Sequence, residues 1–153
     1  MDFEDFFAAS YDRVRRTLAL VCGDIAAAED AAQEAFARAY RRWRRIRTMD
    51  RPDGWVYVVA VNVLRRRRRG RIDALHAEPT TVPSQSEDGI DLRSALLALP
   101  QRQREAVVLR FLGDMSVEQV ADAMRCSPGT VKSTVHAALA NLRVQLKEVP
   151  HGS

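Results

Sequence analysis

The sequence predicts an all-α protein made of two small helical domains, a three-helix module and a four-helix module, joined by a flexible linker. Three observations predict it. Apolar residues recur at steps of three and four along most of the 153 residues, the spacing of amphipathic helices. Residues 76–90, HAEPTTVPSQSEDGI, break that rhythm with two Pro, several Ser and Thr and no Lys or Arg, a linker composition. Residues 116–142, SVEQVADAMRCSPGTVKSTVHAALANL, read as two short helices around a tight turn. The expected organisation is a first domain at 1–72, a linker at 73–90, a second domain at 91–148 and a frayed tail at 149–153.

Phe3, Phe6, Phe7, Tyr11, Val14, Leu18 and Val21 step along one face of a first helix that should stop near Cys22 and Gly23. Asp24 is placed to cap a second helix. The inner side of that helix is Ala28, Ala32, Ala35, Phe36, Ala39 and Trp43, small enough for close packing. Residues 46–54, IRTMDRPDG, carry the Pro, Asp and Gly of a loop. The Val-rich run 55–64, WVYVVAVNVL, has the propensity of a buried strand. A helix is the better reading, because the arginines 65–69 continue it unbroken and no other stretch offers a strand to pair with.

In the second domain Leu92, Leu96, Leu97 and Leu99 lead to Pro100, which opens a helix carrying Ala106, Val107, Val108, Leu109 and Phe111 until Gly113 and Asp114 end it. Ser116 with Gln119 is a capping-box pattern. Val117, Val120, Ala121 and Met124 face inward after it. Ser127-Pro128 restarts the chain with a cap and a first-turn proline, and Val131, Val135, Ala138, Leu139 and Leu142 form the buried stripe. Arg125 stands where such turns favour Gly, whose missing side chain tolerates left-handed φ, so the turn should be either strained or differently shaped.

Charge is distributed unevenly. Residues 1–34 hold eight acids against three Arg, a net −5; residues 35–72 hold thirteen Arg against two Asp, a net +11; residues 73–91 hold five acids and no base. The +11 block is suited to a polyanion and the acidic blocks to other partners. No apolar run approaches the roughly 20 residues of a membrane span, and the start, MDFEDFF, is acidic where a signal peptide is basic, so the expected location is the cytoplasm, without membrane insertion. Two cysteines, Cys22 and Cys126, are too few and too far apart for a disulfide or metal framework. The three histidines, His76, His136 and His151, show no ligand spacing and no nucleophile beside a base. An enzyme is therefore disfavoured, and no metal or cofactor is expected.

A helix-turn-helix places its second helix in a DNA major groove with its first residues at base edges. Here that side is small and polar: Thr130, Lys132, Ser133, His136 and Ala137. A free-standing regulator that binds duplex DNA as a dimer would satisfy this much.

More of the chain matches something specific. AEDAAQEAFARAYRRW at 28–43, RPDGWVYVVAVNVL at 51–64 with the Arg-rich helix behind it, and LPQRQREAVVLRF at 99–111 ahead of the helix-turn-helix occur in this order. Over nearly the full length they resemble the extracytoplasmic-function (ECF) class of bacterial RNA polymerase sigma factors, with a region 2-like first domain and a region 4-like second one. The resemblance implies a promoter-specificity subunit that binds core RNA polymerase and directs it to −35 and −10 elements of promoter DNA. It implies that Asp30, Gln33, Glu34 and Arg38, which share one helix side, hold the clamp helices of the largest polymerase subunit. For the −10 element it implies base reading by the 46–54 loop and the following helix, with Trp55 and Tyr57 as stacking candidates (a core position being an equal alternative for Trp55), Asn62 hydrogen-bonding a base edge, and Arg65, Arg66, Arg67, Arg68 and Arg69 on phosphates. For the −35 element it implies Lys132, Ser133 and His136, with Ser127 and Thr130 near phosphate. Val58, Thr134 and Ala137 depart from residues common in the family, and Ala137 alternatively meets a thymine methyl. An anti-sigma factor is the expected regulator.

Overall fold

The computed structural model describes the backbone of residues 1–74 and 87–148 and the side chains of residues 1–70 and 92–147. Most of the expected linker, the tail, His76 and His151 lie outside the described residues.

Helix α1 spans Phe3–Cys22. The Asp2 carboxylate accepts from the Asp5 N–H at 2.9 Å. At its other end Gly23, at φ 71°, donates its N–H to the Ala19 carbonyl, the left-handed cap that glycine adopts without steric cost. Helix α2, Ile25–Arg41, is capped by Asp24 as the sequence predicts, through the Ala27 N–H at 3.1 Å. Its inward face is alanine at 27, 28, 31, 32, 35 and 39, broken only by Phe36. Those methyl-sized positions let α2 lie close against α1 and α4. A one-turn helix α3, Trp43–Ile46, brings the Trp43 ring onto Phe6 at 4.9 Å between centroids.

Helix α4 spans Pro52–Ala74. The 55–64 run is helical, and the described residues contain no strand. The helix starts three residues before the expected Trp55, because Pro52 supplies the preset φ of a first helical position and the expected loop shrinks accordingly. Val56, Tyr57, Ala60, Val61 and Val63 are buried and Trp55, Val58, Val59 and Leu64 half-buried. A helix covered on several sides, here by α1, α2 and α7, is apolar nearly all round.

The second segment contains α5, Glu87–Leu97, and α6, Gln101–Val107, followed by a π-helical turn, Val108–Leu112, then α7, Val117–Met124, and α8, Pro128–Glu148. The π turn was not expected. It adds a residue to one turn, as the Gly113 N–H bond to the Val108 carbonyl at 3.0 Å records, and rotates Phe111 off the apolar face to 55% exposure. Ser116 and Gln119 form the predicted capping box at 3.1 and 3.0 Å. Arg125 adopts φ 57°, ψ 49° and donates its N–H to the Ala121 carbonyl, a conformation that costs a non-glycine residue about 1–2 kcal/mol.

The two helical segments pack on each other. α4 meets α7, while α1 meets α6 and the π turn, and buried side chains from both segments form one continuous cluster.

Candidate nucleic-acid and polymerase-binding surfaces

The α8 surface follows from its cap. The Ser127 hydroxyl accepts the Thr130 N–H at 3.1 Å and lies 2.9 Å from the Thr130 hydroxyl, and the Ser133 hydroxyl donates to the Thr130 carbonyl at 3.0 Å. Val131, Ala138 and Leu142 point into the core. That fixes the helix rotation, so Ser127, Thr130, Lys132, Ser133 and His136 are exposed together, with Ala137 and Thr134 half-exposed beside them. Lys132 and His136 make no hydrogen bond or ion pair with a described residue. The first turns of α8 therefore present the Lys132 and His136 side chains without a partner, beside hydroxyls ordered on the backbone, near the positive end of the helix dipole.

The α4 surface is different. Trp55 and Val58 line a cleft of about 620 Å³ with Met49, Asp50, Arg51 and Gly54, facing Arg110, Asp114, Met115, Ser116, Gln119 and Asp122 of the second segment. Tyr57 does not share it. Tyr57 is completely buried, so in this structure its ring belongs to the core and offers no face for stacking on bases. Burial pushes its phenol above the ordinary pKa, with Thr17 and Arg13 acting in the opposite sense. Asn62 is half-exposed, its carbonyl oxygen accepting from Arg65 at 3.0 Å. Arg65 is half-buried, whereas Arg66, Arg67, Arg68 and Arg69 are exposed and, as consecutive residues of a helix, form a basic collar around α4.

Ahead of α4, Arg51 grips Asp53 with two bonds of 3.0 and 2.8 Å. Desolvation pushes the Asp53 carboxyl up, but the Arg51 hydrogen bond and charge outweigh it, so the net shift is downward. The pair fixes the turn from the loop into α4. Nothing in the spacing of residues 46–54 singled out Arg51; the only signal was a charged pair bracketing a proline.

On α2, Asp30 and Gln33 are exposed and Glu34 and Arg38 half-exposed. Glu34 and Arg38 pair at 2.7 Å one turn apart. Asp30 reaches across to Arg67 at 2.9 Å. The polar face of α2 and the basic collar of α4 therefore adjoin at the Asp30–Arg67 pair.

Cys22 and Cys126 are free and half-buried; burial pushes the Cys22 thiol up, partly countered by its hydrogen bond to the Asp24 carbonyl. The described residues contain no cluster of ligands suited to a metal ion.

Comparison with known proteins shows the family in which these surfaces occur. Residues 6–72 match the family described as Sigma-70 region 2, and residues 90–142 match Sigma-70, region 4. The RNA polymerase sigma-E factor of Streptomyces coelicolor is 34% identical over 95% of this chain and 86% of that protein. The chain belongs to the sigma-70 family. Its place in the ECF class follows from relatives such as the ECF RNA polymerase sigma factor SigL of Mycobacterium tuberculosis, 30% identical over 83% of this chain and 78% of that protein. Among solved structures, the sigma factor RpoE of Bartonella quintana, crystallised in complex with the anti-sigma factor NepR, superimposes with a TM-score of 0.79 over 97% of this chain and 98% of that one, at 25% identity. In this sigma factor, then, the α2 and α4 surfaces lie in region 2 and the helix-turn-helix in region 4.

Proposed function

We propose that this sigma factor is a promoter-specificity subunit of RNA polymerase and has no catalytic chemistry of its own. It works beside the polymerase in the cytoplasm. No helix of the described residues is long and apolar enough to cross a membrane. The observation that carries the reading is the helix-turn-helix whose second helix holds Ser127, Thr130, Lys132, Ser133 and His136 on one unobstructed side. That side enters the major groove of the −35 element, Lys132 and His136 donating to base edges and Ser127 and Thr130 approaching phosphate, with the Ala137 methyl available to a thymine.

The −10 element is taken by α4 and the loop before it. Trp55 stacks on an extruded base, Asn62 reads a base edge, and Arg65 with the exposed Arg66, Arg67, Arg68 and Arg69 neutralises the non-template backbone. Asp30, Gln33, Glu34 and Arg38 form the contact to the clamp helices of core polymerase. An anti-sigma factor is the regulatory partner this reading carries, in keeping with the complex in which the Bartonella relative was crystallised.

Mapping transcript starts after overproduction, then reconstituting run-off transcription with core polymerase, tests the reading. The expected result is a shared pair of upstream elements and initiation that requires both the chain and core enzyme. Tight, sequence-specific duplex binding by the chain alone, with no stimulation of core polymerase, would overturn it in favour of an independent regulator.

A further inference from the structure

Five guanidinium groups converge on a second cleft, of about 470 Å³, with Arg65, Arg67 and Arg68 of α4 on one side and Arg102 and Arg104 of α6 on the other. Three of them are held by main-chain oxygens. Arg65 donates to the Ala123 carbonyl at 2.9 Å, Arg102 to the Met124 carbonyl at 3.0 Å and Arg104 to the Val21 carbonyl at 2.8 Å. A carbonyl is neutral, so it fixes a cation in place without cancelling its charge.

Arg51, outside this cleft, shows the difference a counter-ion makes. It too reaches a carbonyl, that of Gly113 at 3.2 Å, but it also carries the Asp53 carboxylate at 2.8 Å. Its hydrogen bond to Asp53 holds Arg51 above the ordinary arginine pKa. Burial pulls Arg65 and Arg104 below it, with repulsion from Arg125, Arg102 and Arg69 added at Arg65 and from Arg68 at Arg104, and Glu105 resisting at both. Arg67 pairs with Asp30 at 2.9 Å and Arg102 with Glu105 at 3.5 Å, whereas Arg65, Arg68 and Arg104 have no carboxylate of a described residue within ion-pair distance. Uncompensated positive charge in a cleft concentrates anions, and guanidinium groups bind phosphate through paired hydrogen bonds.

One group in the wall calls for a ligand atom of another kind. Glu105 is 8% exposed. Its Oε1 accepts from Gln101 at 3.0 Å, while its buried Oε2 accepts no hydrogen bond. A buried carboxylate oxygen short of a donor is costly, and a phosphate brings acceptors where a nucleobase brings N–H groups. Val21, Val61 and Leu64 complete an apolar wall for a ring, and the volume falls within the roughly 300–1,000 Å³ of small-molecule sites.

We propose that this cleft binds a nucleoside polyphosphate, the uncompensated arginines taking its phosphates and an N–H group of its base donating to Glu105 Oε2. Guanine suits the carboxylate best, because its ring N–H and its amino group lie side by side. Arg65, Arg67 and Arg68 are shared with the −10 assignment, but the site does not depend on it.

The test is calorimetric titration of the full chain, without DNA or polymerase, using GTP, ATP and inorganic tripolyphosphate at about 0.15 M salt, where loose charge attraction is largely screened. Saturable, one-to-one binding of GTP is expected, tighter than that of ATP and tighter again than that of tripolyphosphate. No saturable binding of any of the three would overturn the site, and tripolyphosphate binding as tightly as GTP would overturn the nucleoside. Arg68→Gln changes an exposed side chain and should weaken all three ligands by about tenfold, the loss of one charge-assisted hydrogen bond. Glu105→Gln should separate them: GTP weakens by about tenfold, while tripolyphosphate binds more tightly because a negative charge has left the cleft. A purely structural role for Glu105 would move both ligands the same way, and that result would overturn the base contact. If melting curves show that Glu105→Gln unfolds the chain, Arg68→Gln decides alone, and its binding all three ligands like the unaltered chain would overturn the proposal. Because no promoter or polymerase enters these measurements, their failure is distinct from a failure of the promoter reading.

Discussion

The helices assigned to DNA, α4 and α8, are built on opposite terms. α8 buries one narrow stripe and leaves its opening turns bare, so Lys132 and His136 are free to meet a partner. α4 is gripped on several sides: Tyr57 faces the core, Trp55 and Val58 face α7, and Arg65 is bonded to a carbonyl 58 residues away in sequence. One surface is ready as it stands and the other is half enclosed. A helix that must both anchor its domain and read a strand cannot expose everything it uses, whereas a helix-turn-helix separates these tasks between two faces.

The largest effect that sharpens this contrast is at Tyr57. Tyr57→Ala should lower stability in urea denaturation by about 3–5 kcal/mol, the range for emptying a large aromatic site in a core. If stability held while −10 binding collapsed, Tyr57 would belong with the reading residues and the contrast would break. On the open helix the reverse pattern is expected. Lys132→Ala or His136→Ala should each weaken −35 recognition in a promoter-competition assay by about 1–3 kcal/mol per lost base contact, with no change in melting temperature. Smaller again, Ser116→Ala removes half of the capping box and should cost about 1 kcal/mol of stability, read from the same urea curves. The smallest change is at the turn. Arg125→Gly relieves left-handed strain at some entropic cost and should leave a net gain of about 0.5 kcal/mol, visible as a slightly raised denaturation midpoint. A loss there would mean that the Arg125 side chain holds the turn.

What could be read in advance depended on how local its cause was. The caps at Asp24 and Ser116 are set by neighbours within a few positions and were legible; Arg125 was legible as an exception at its turn, its strain one of two outcomes; and the helical state of residues 55–64 was legible only with the rest of the chain in view, since local propensity alone suits a strand. The early start of α4 at Pro52 was a boundary slip at a residue that suits either a loop or a first turn. The π turn was invisible because its trace, Phe111 turned outward, looks in sequence like one more apolar residue at helical spacing. On the α8 surface the exposed residues were legible because burial there follows one clear period. On α4 they were not, since an almost uniformly apolar helix has no period to read: a core position suggested itself for Trp55, whereas the completely buried ring is Tyr57. The crossing arginines lay beyond reach for a simpler reason: the acceptors of Arg51, Arg65 and Arg104 are main-chain oxygens, which every residue possesses and no residue advertises.

The alanine seam of α2 sets a limit on how this protein can vary. With six of its seven inward positions already reduced to a methyl group, the seam cannot admit a branched chain without prying α1 and α4 away, and a cut to glycine would loosen the helix itself. Sequence drift in this helix is thereby channelled to its wet side, where Asp30, Gln33, Glu34 and Arg38 stand, so a lineage can retune what the helix holds while the spacing of the three helices stays put.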